Sequence, residues 1–396
     1  MLKLLLLYAK IFFKEVMCMP IFLCYDPAPR TTCWTHDKHR SMIAEFTKRR
    51  IKYFSVSTPD ELRAHLENYR GEPSSLVFFP SSEKERNYLF DRYKEFDIHR
   101  IIFAHHNIGI TECDFSSVMS DFSGDMRTAV SHLRERGCKN IALLGANMGG
   151  YHDKLRAETF KRFCGEDEPV IFYVNKANRH CISQLFSCER RLDAIICIND
   201  FFAFSLKCVL DKLDPEWSKK ISLLSFSNTI LSGLCSPSLS SISLNYIDGG
   251  KEVATIHKAL SKNDRMAYMH IVMKSMLSAR ETTAAENPEG IAFSNFTTLS
   301  DSELEQTVAP SKKCMALEKL LALSDETDLS IMHGLIADAT LGDIATRLYL
   351  TRDAIKYRVR KFKEYLKCDS TKELAAVLCA WINTDKLEDM IVKIKR

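Results

Sequence analysis

Over the first two-thirds of the chain, short apolar runs alternate with segments of helical period. Residues 21–25 form an apolar run that ends at Asp26 and Pro27. Residues 39–50 carry Met42, Ile43 and Phe46 on one side, and 51–56 read as the next strand. Residues 60–69 read as a helix opened by Pro59 and an acidic first turn. Strands follow at 76–79, stopped by Pro80, and at 100–104, with a helix at 83–96 between them. An amphipathic helix at 121–136, closed by Gly137, leads to a strand at 140–144 that ends at Gly145. The pattern then repeats, with helices at 154–163, 179–187 and 203–213 and strands at 170–174, 194–198 and 221–226. This predicts an α/β fold of parallel sheets flanked by helices, in two successive sets and so in two lobes. Ligands on such sheets sit beyond the carboxyl ends of the strands. Two lobes are expected to leave a cleft that closes around a small molecule.

Residues 285–316 change character. Asn287-Pro288, Gly290 and several Ser and Thr interrupt any period, which suggests a linker with a short ordered piece around 291–296. Beyond it the pattern is helical, with expected helices at 325–337 (N-capped by Ser324), 341–348, 352–366 and 371–382. A short second helix, a tight turn and a longer third helix describe a helix-turn-helix. On the third helix Ile355, Val359, Phe362 and Leu366 form one apolar stripe. Arg352, Lys356, Arg360, Lys363 and Lys367 form a separate basic stripe, and residues 351–367 hold seven basic and two acidic residues. An exposed basic stripe suits double-stranded DNA, because Arg and Lys meet both phosphates and base edges; a solvated face that keeps the helix soluble is the plainer alternative. The expected organisation is therefore an extension at 1–19, a two-lobed effector-binding domain at 20–284, a linker at 285–316 and a helix-turn-helix domain at 317–396.

Composition narrows the class. The chain has 396 residues, 46 % of them apolar and 27 % charged, which excludes disordered and collagen-like chains. A net charge of +4 is too small to identify a partner, so any nucleic-acid footprint must be local. The 14 Cys are scattered without a C-x-x-C pair, as expected of reduced thiols in a cytoplasmic protein. Residues 4–9 are apolar, but Lys10, Lys14 and Glu15 break the run short of a signal sequence or a bilayer span. An extra helix, a frayed tail, or translation from Met17 or Met19 are the alternatives there. His36 with His39, and His105 with His106, lack zinc-spaced partners. The loop at 145–150 lacks the Lys-Ser/Thr of a phosphate-binding loop, and no G-x-S-x-G or H-E-x-x-H occurs. The sequence thus offers no metal, no cofactor and no enzyme chemistry. A phosphoreceiver would need an Asp ending its third strand, where this chain has Pro80.

Residues 341–362, reading LGDIATRLYLTRDAIKYRVRKF, with Thr371-Lys372-Glu373-Leu374 after them, resemble the LuxR-type helix-turn-helix. The resemblance implies that Lys356, Tyr357 and Arg360 face base edges and that Thr351, Arg352 and Lys361 hold phosphates. The family's acidic residue early in the first helix falls near Thr327, and its inter-helix glycine falls at Asp338 or Ala339. Residues 129–145 and 193–200, with Ala203, the strand at 221–226, residues 237–242, Gly250 and residues 280–283, resemble the sensing domain of LacI/GalR-type repressors. That family is related to periplasmic sugar-binding proteins. The resemblance implies a carbohydrate-like effector bound by Arg156 and Asp200, with Trp34 covering an apolar face. A surface ion pair for Arg156, an N-cap for Asp200 and a loop or packing aromatic for Trp34 are the plainer alternatives. Thr159 stands where the family has Gly, and Ser227 where Asp is common. Both resemblances imply a homodimer. The expected protein is a cytoplasmic DNA-binding transcription regulator, without a membrane partner; the alternatives are an exported solute-binding protein and a divergent sugar-converting enzyme or adaptor.

Overall fold

The alternating pattern builds two parallel sheets. The computed structural model describes residues 19–24, 33–80, 83–103, 114–149, 151–165, 168–174, 178–243, 246–263 and 265–395. Residues 1–18 of the N-terminal extension, the end of the first strand at Tyr25, and His105-His106 lie outside them, as do the side chains of Trp34 and His36. The chain divides into two units, 1–121 with 245–274 and 122–244 with 275–396.

The first unit opens with β1 (Ile21–Cys24), α1 (Cys33–Arg49), β2 (Tyr53–Val56), α2 (Pro59–Asn68), β3 (Ser75–Phe78), α3 (Glu83–Arg92), β4 (His99–Phe103) and β5 (Ser116–Ser120). The second contributes α4 (Phe122–Glu135), β6 (Ile141–Ala146), α5 (Tyr151–Phe163), β7 (Val170–Tyr173), α6 (Asn178–Ser183), β8 (Ala194–Cys197), α7 (Asp200–Leu213), β9 (Ser222–Phe226), α8 (Ile230–Leu234) and β10 (Ser240–Ser243). The chain returns to the first unit for α9 (Tyr246–Lys262) and β11 (His270–Met273), then adds β12 (Met276–Ser278) to the second. Helices follow: α10 (Asp301–Val308), α11 (Cys314–Leu323), α12 (Glu326–Ile336), α13 (Leu341–Arg347), α14 (Arg352–Leu366), α15 (Thr371–Trp381) and α16 (Thr384–Lys395).

The first sheet runs β11-β5-β4-β3-β1-β2 and is parallel throughout. The second runs β12-β10-β9-β8-β6-β7, parallel except for the antiparallel edge strand β12. In β1, Ile21 and Leu23 pack with Met42 and Phe46 of α1 and Ile256 of α9. Phe22 points to the opposite face, with Leu62 and Leu66 of α2. Gly250 lets α9 press against α1, since a Cβ there would stand 2.6 Å from the Ser41 backbone.

Several elements depart from the sequence expectation. β5 reads Ser-Ser-Val-Met-Ser, too polar for a buried-strand signal. Ser116 and Ser117 can be buried because they are bonded: the Met269 amide donates to Ser116 Oγ at 3.0 Å, and Ser117 Oγ meets His270 Nδ1 at 2.8 Å. The segment expected as a linker carries α10, whose Ser300 and Glu303 form a capping box, and leads into α11. Its Ile291, Phe293, Leu304 and Val308 are buried in one core with the second sheet. The N-cap of α12 is Asp325 rather than Ser324, because Asp325 and Asp328 cap each other's backbone N–H groups. Among the described residues no helix is long and apolar enough to cross a membrane, and no His, Cys, Asp and Glu cluster could hold a metal.

Candidate functional site

The carboxyl edge of the second sheet gathers two of the predicted effector residues. Arg156 rises from α5 and is 8 % exposed. Its Nη1 donates to the carbonyl of Ile198, just past β8, at 3.1 Å. Its guanidinium lies 4.7 Å from the centre of the Phe122 ring and 4.6 Å from that of Phe226. Two aromatic faces thus hold the cation in place, and a planar fork presented this way can bond polar groups in defined directions. Arg156 is thus buried rather than on the surface. Thr159, one turn on, is buried and donates back to the Leu155 carbonyl at 2.6 Å.

Asp200 begins α7 and is fully buried. Ser225 Oγ (2.5 Å) and Ser241 Oγ (2.7 Å) donate to its Oδ1, and the Thr229 amide (2.7 Å) and hydroxyl (2.8 Å) to its Oδ2. Burial pushes its carboxyl above the ordinary range while these donors pull it down. The carboxylate expected to meet effector hydroxyls is surrounded by donors of its own chain, and so ties β9, β10 and the start of α8 to α7. The helix N-cap is the neighbouring Asn199, whose side chain accepts from the Phe202 amide at 2.9 Å. Ser227 and Asn228, where β9 hands over to α8, hold φ values of 120° and 46°, a left-handed backbone that side chains resist. The Ser227 amide donates to Ile242 O, and Asn228 Oδ1 accepts from Arg280 Nη2, which fixes that turn. The glycine-rich loop sits at the same edge. Gly145 has φ 98°, and a Cβ there would meet the Phe202 ring at 2.9 Å. Trp34 belongs to the first turn of α1, in the other unit.

The C-terminal helices are anchored directly on this edge. Glu318 of α11, 6 % exposed, accepts from the Ile230 and Leu231 amides at the start of α8, both at 2.9 Å. At the other end of α8 the Asn383 amide donates to Leu234 O at 2.8 Å, and Lys386 Nζ to Cys235 O at 2.9 Å. Trp381 packs edge-on against Phe204 of α7, with ring centroids 5.3 Å apart. Sequence reasoning missed Glu318. Its signal was a charged residue within an apolar stripe, beside Cys314, Leu317 and Leu321.

On α14 the two stripes separate as the period requires. Ile355, Val359, Phe362 and Leu366 are buried. Thr351, Arg352, Lys356, Tyr357, Arg360 and Lys361 are all exposed. Thr351 caps the helix by accepting from the Ala354 amide at 3.2 Å. The Arg360 guanidinium lies 5.5 Å from the centre of the Tyr357 ring. Arg358, off the stripe, instead bonds Asp325 (2.9 Å) and Asp328 (2.6 Å), and so fixes α14 to the start of α12. α13 is closed by its C-cap Leu348, Tyr349 takes φ 55°, and α14 begins at Arg352. Asp338, at a position matched to the family glycine, likewise takes φ 55°.

Residues 130–283 match the family model of the periplasmic binding protein-like domain. Among solved structures, the chain is similar to a LacI family transcriptional regulator from Enterococcus faecium with bound ribose, at 14 % identity and TM-score 0.51, covering 68 % of this chain and 99 % of that one. It is similar to the transcriptional regulator CelR in complex with cellobiose, at 14 % identity and TM-score 0.53, covering 69 % and 89 %. It is also similar to the lac repressor dimer bound to operator and an anti-inducer, at 13 % identity and TM-score 0.53, covering 70 % and 85 %. No curated protein matches the chain. These likenesses show the fold of the two α/β lobes. The family-model match ends before the C-terminal helices.

Proposed function

We propose that this protein is a transcription regulator. Its two-lobed part binds a small, carbohydrate-like effector, and its C-terminal helix-turn-helix, of LuxR type, reads double-stranded DNA. The observation that carries the reading is the surface of α14: all six residues expected on DNA are exposed, while the apolar stripe behind them is buried. Lys356, Tyr357 and Arg360 are assigned to base edges, and Thr351, Arg352 and Lys361 to phosphates. Fold neighbours solved with ribose, with cellobiose and with operator DNA support a sugar-class effector and a DNA target. Arg156 is the proposed polar contact to that effector. Asp200 organises the edge on which the effector rests. A homodimer in the cytoplasm is the working state, since paired readers meet paired half-sites.

The test is fluorescence anisotropy of the full chain with duplex DNA over a range of salt. Affinity should fall steeply as salt rises, and Arg352→Ala should lower the log–log slope by about 1. A flat salt response would overturn the DNA assignment. Thermal shift with ribose and cellobiose as first probes tests the effector arm, because a ligand of the native state raises the melting temperature.

A further inference from the structure

Tyr349 joins α13 to α14, and its local geometry favours a different residue. The Leu350 amide donates to Ala345 O at 3.0 Å, and the Tyr349 amide to Thr346 O at 3.3 Å. This is the paired closure in which a helix ends on one left-handed residue, a place that glycine fills most comfortably. Tyrosine occupies it at φ 55°. The usual compensation for a strained aromatic is packing, and here there is none: Tyr349 is 96 % exposed. The chain thus holds a large aromatic in a conformation that resists it, with its ring in water. Strain of this kind is kept where a side chain serves something outside the fold.

Its neighbours point to what that is. Tyr349 stands two residues before the Thr351 cap and three before Arg352, where the exposed basic stripe begins. Leu350, next to it in the chain, and Tyr357 on α14 are exposed as well. A neutral phenol at the head of a cationic ridge is placed to reach the polyanion that the ridge attracts, and tyrosine hydroxyls are among the groups that bond DNA phosphates. Resting on the DNA-reading assignment above, we infer that Tyr349 is a backbone anchor. Its hydroxyl donates to a phosphate oxygen at the edge of the groove and sets the register of α14, independently of sequence.

The test uses the full chain, its Tyr349→Gly and Tyr349→Phe variants, and A·T-only, G·C-only and mixed duplexes. Glycine relieves the left-handed backbone and removes no packing, so the Tyr349→Gly melting temperature should equal or exceed that of the parent. Its affinity should nevertheless fall about tenfold, equally on all three duplexes. Tyr349→Phe should lose most of the same affinity. The salt slope should stay at the parent value in both, because a neutral contact releases no counterions, in contrast to Arg352→Ala. If the parent binds with salt dependence and Tyr349→Gly binds equally well, the anchor is wrong and the DNA reading stands. A loss confined to one duplex, or a reduced slope, also overturns the anchor. If the parent shows no salt-dependent binding, both fall together.

Discussion

A carboxylate with four donors around it behaves differently from one waiting for a ligand, and Asp200 separates the two cases. Its side chain is fully buried, and Ser225, Thr229 and Ser241 all direct their hydroxyls at it. Asp200→Ala would strand those donors in a place water does not reach, with the Thr229 amide among them. The expected outcome is a loss of roughly 3 kcal/mol or more, read from the urea unfolding midpoint of the full chain. An unchanged midpoint would return Asp200 to a purely ligand-facing role. The Asn199-Asp200 pair was legible in the sequence as the end of a strand. Which of the two carries which task was not, because adjacent side chains at a helix start point in different directions: Asn199 caps α7 and Asp200 faces inward. Arg156 shows the same division. Its position on a helix face could be read, but its two aromatic neighbours come from α4 and β9, far apart in sequence.

At the scale of elements, α8 is the informative piece. A helix of five residues leaves most of its backbone groups without partners of its own. Thr229 caps it from the sheet side and also bonds Asp200, while Glu318 takes two amides at its start and Asn383 bonds its last carbonyl. The short helix is therefore held at both ends by the module that carries α14. Glu318→Ala should expose the Ile230 and Leu231 amides to faster hydrogen exchange and cost about 2–4 kcal/mol. Unchanged exchange at those two amides would rule out the clamp. The clamp itself could not be read from the chain, since a five-residue helix shows too little period and Glu318, though marked by its charge within an apolar stripe, lies some ninety positions away. α14 was legible for the opposite reason. Its fifteen residues contain enough turns for the apolar and basic stripes to separate, and its burial follows them. β5 was missed because its inward serines are satisfied by Met269 and His270, bonds that no local pattern encodes.

Across the whole molecule, the two units should respond differently to acid, because among the described residues the histidines whose pKa burial lowers are unevenly shared. His257 on α9, 5 % exposed, bonds Ser75 Oγ at 3.0 Å, and burial lowers its pKa from 6.5 to about 4. Burial also lowers His99 and His270 in the same unit, while His132 is the corresponding group in the second. Above pH 6.5 the imidazole of His257 is neutral whether the chain is folded or not, so its contribution is constant. As pH falls below 6.5 the unfolded chain takes a proton that the folded chain refuses, and stability is lost until about pH 4, where the folded ring also protonates. That single group accounts for about 3 kcal/mol over the window. Lys38 in the same unit, lowered to about 7 by burial, is charged in both states below pH 6 and adds no slope there. Calorimetry of the full chain between pH 7 and pH 4 should therefore show the transition of the first unit falling further than that of the second. The second unit has one continuous core from its sheet into the C-terminal helices, so those helices should melt with it. In His257→Asn the first transition should lose most of its acid sensitivity. If both transitions fall equally, or if the variant titrates like the parent, the acid response lies elsewhere than in the packing of α9 on β3.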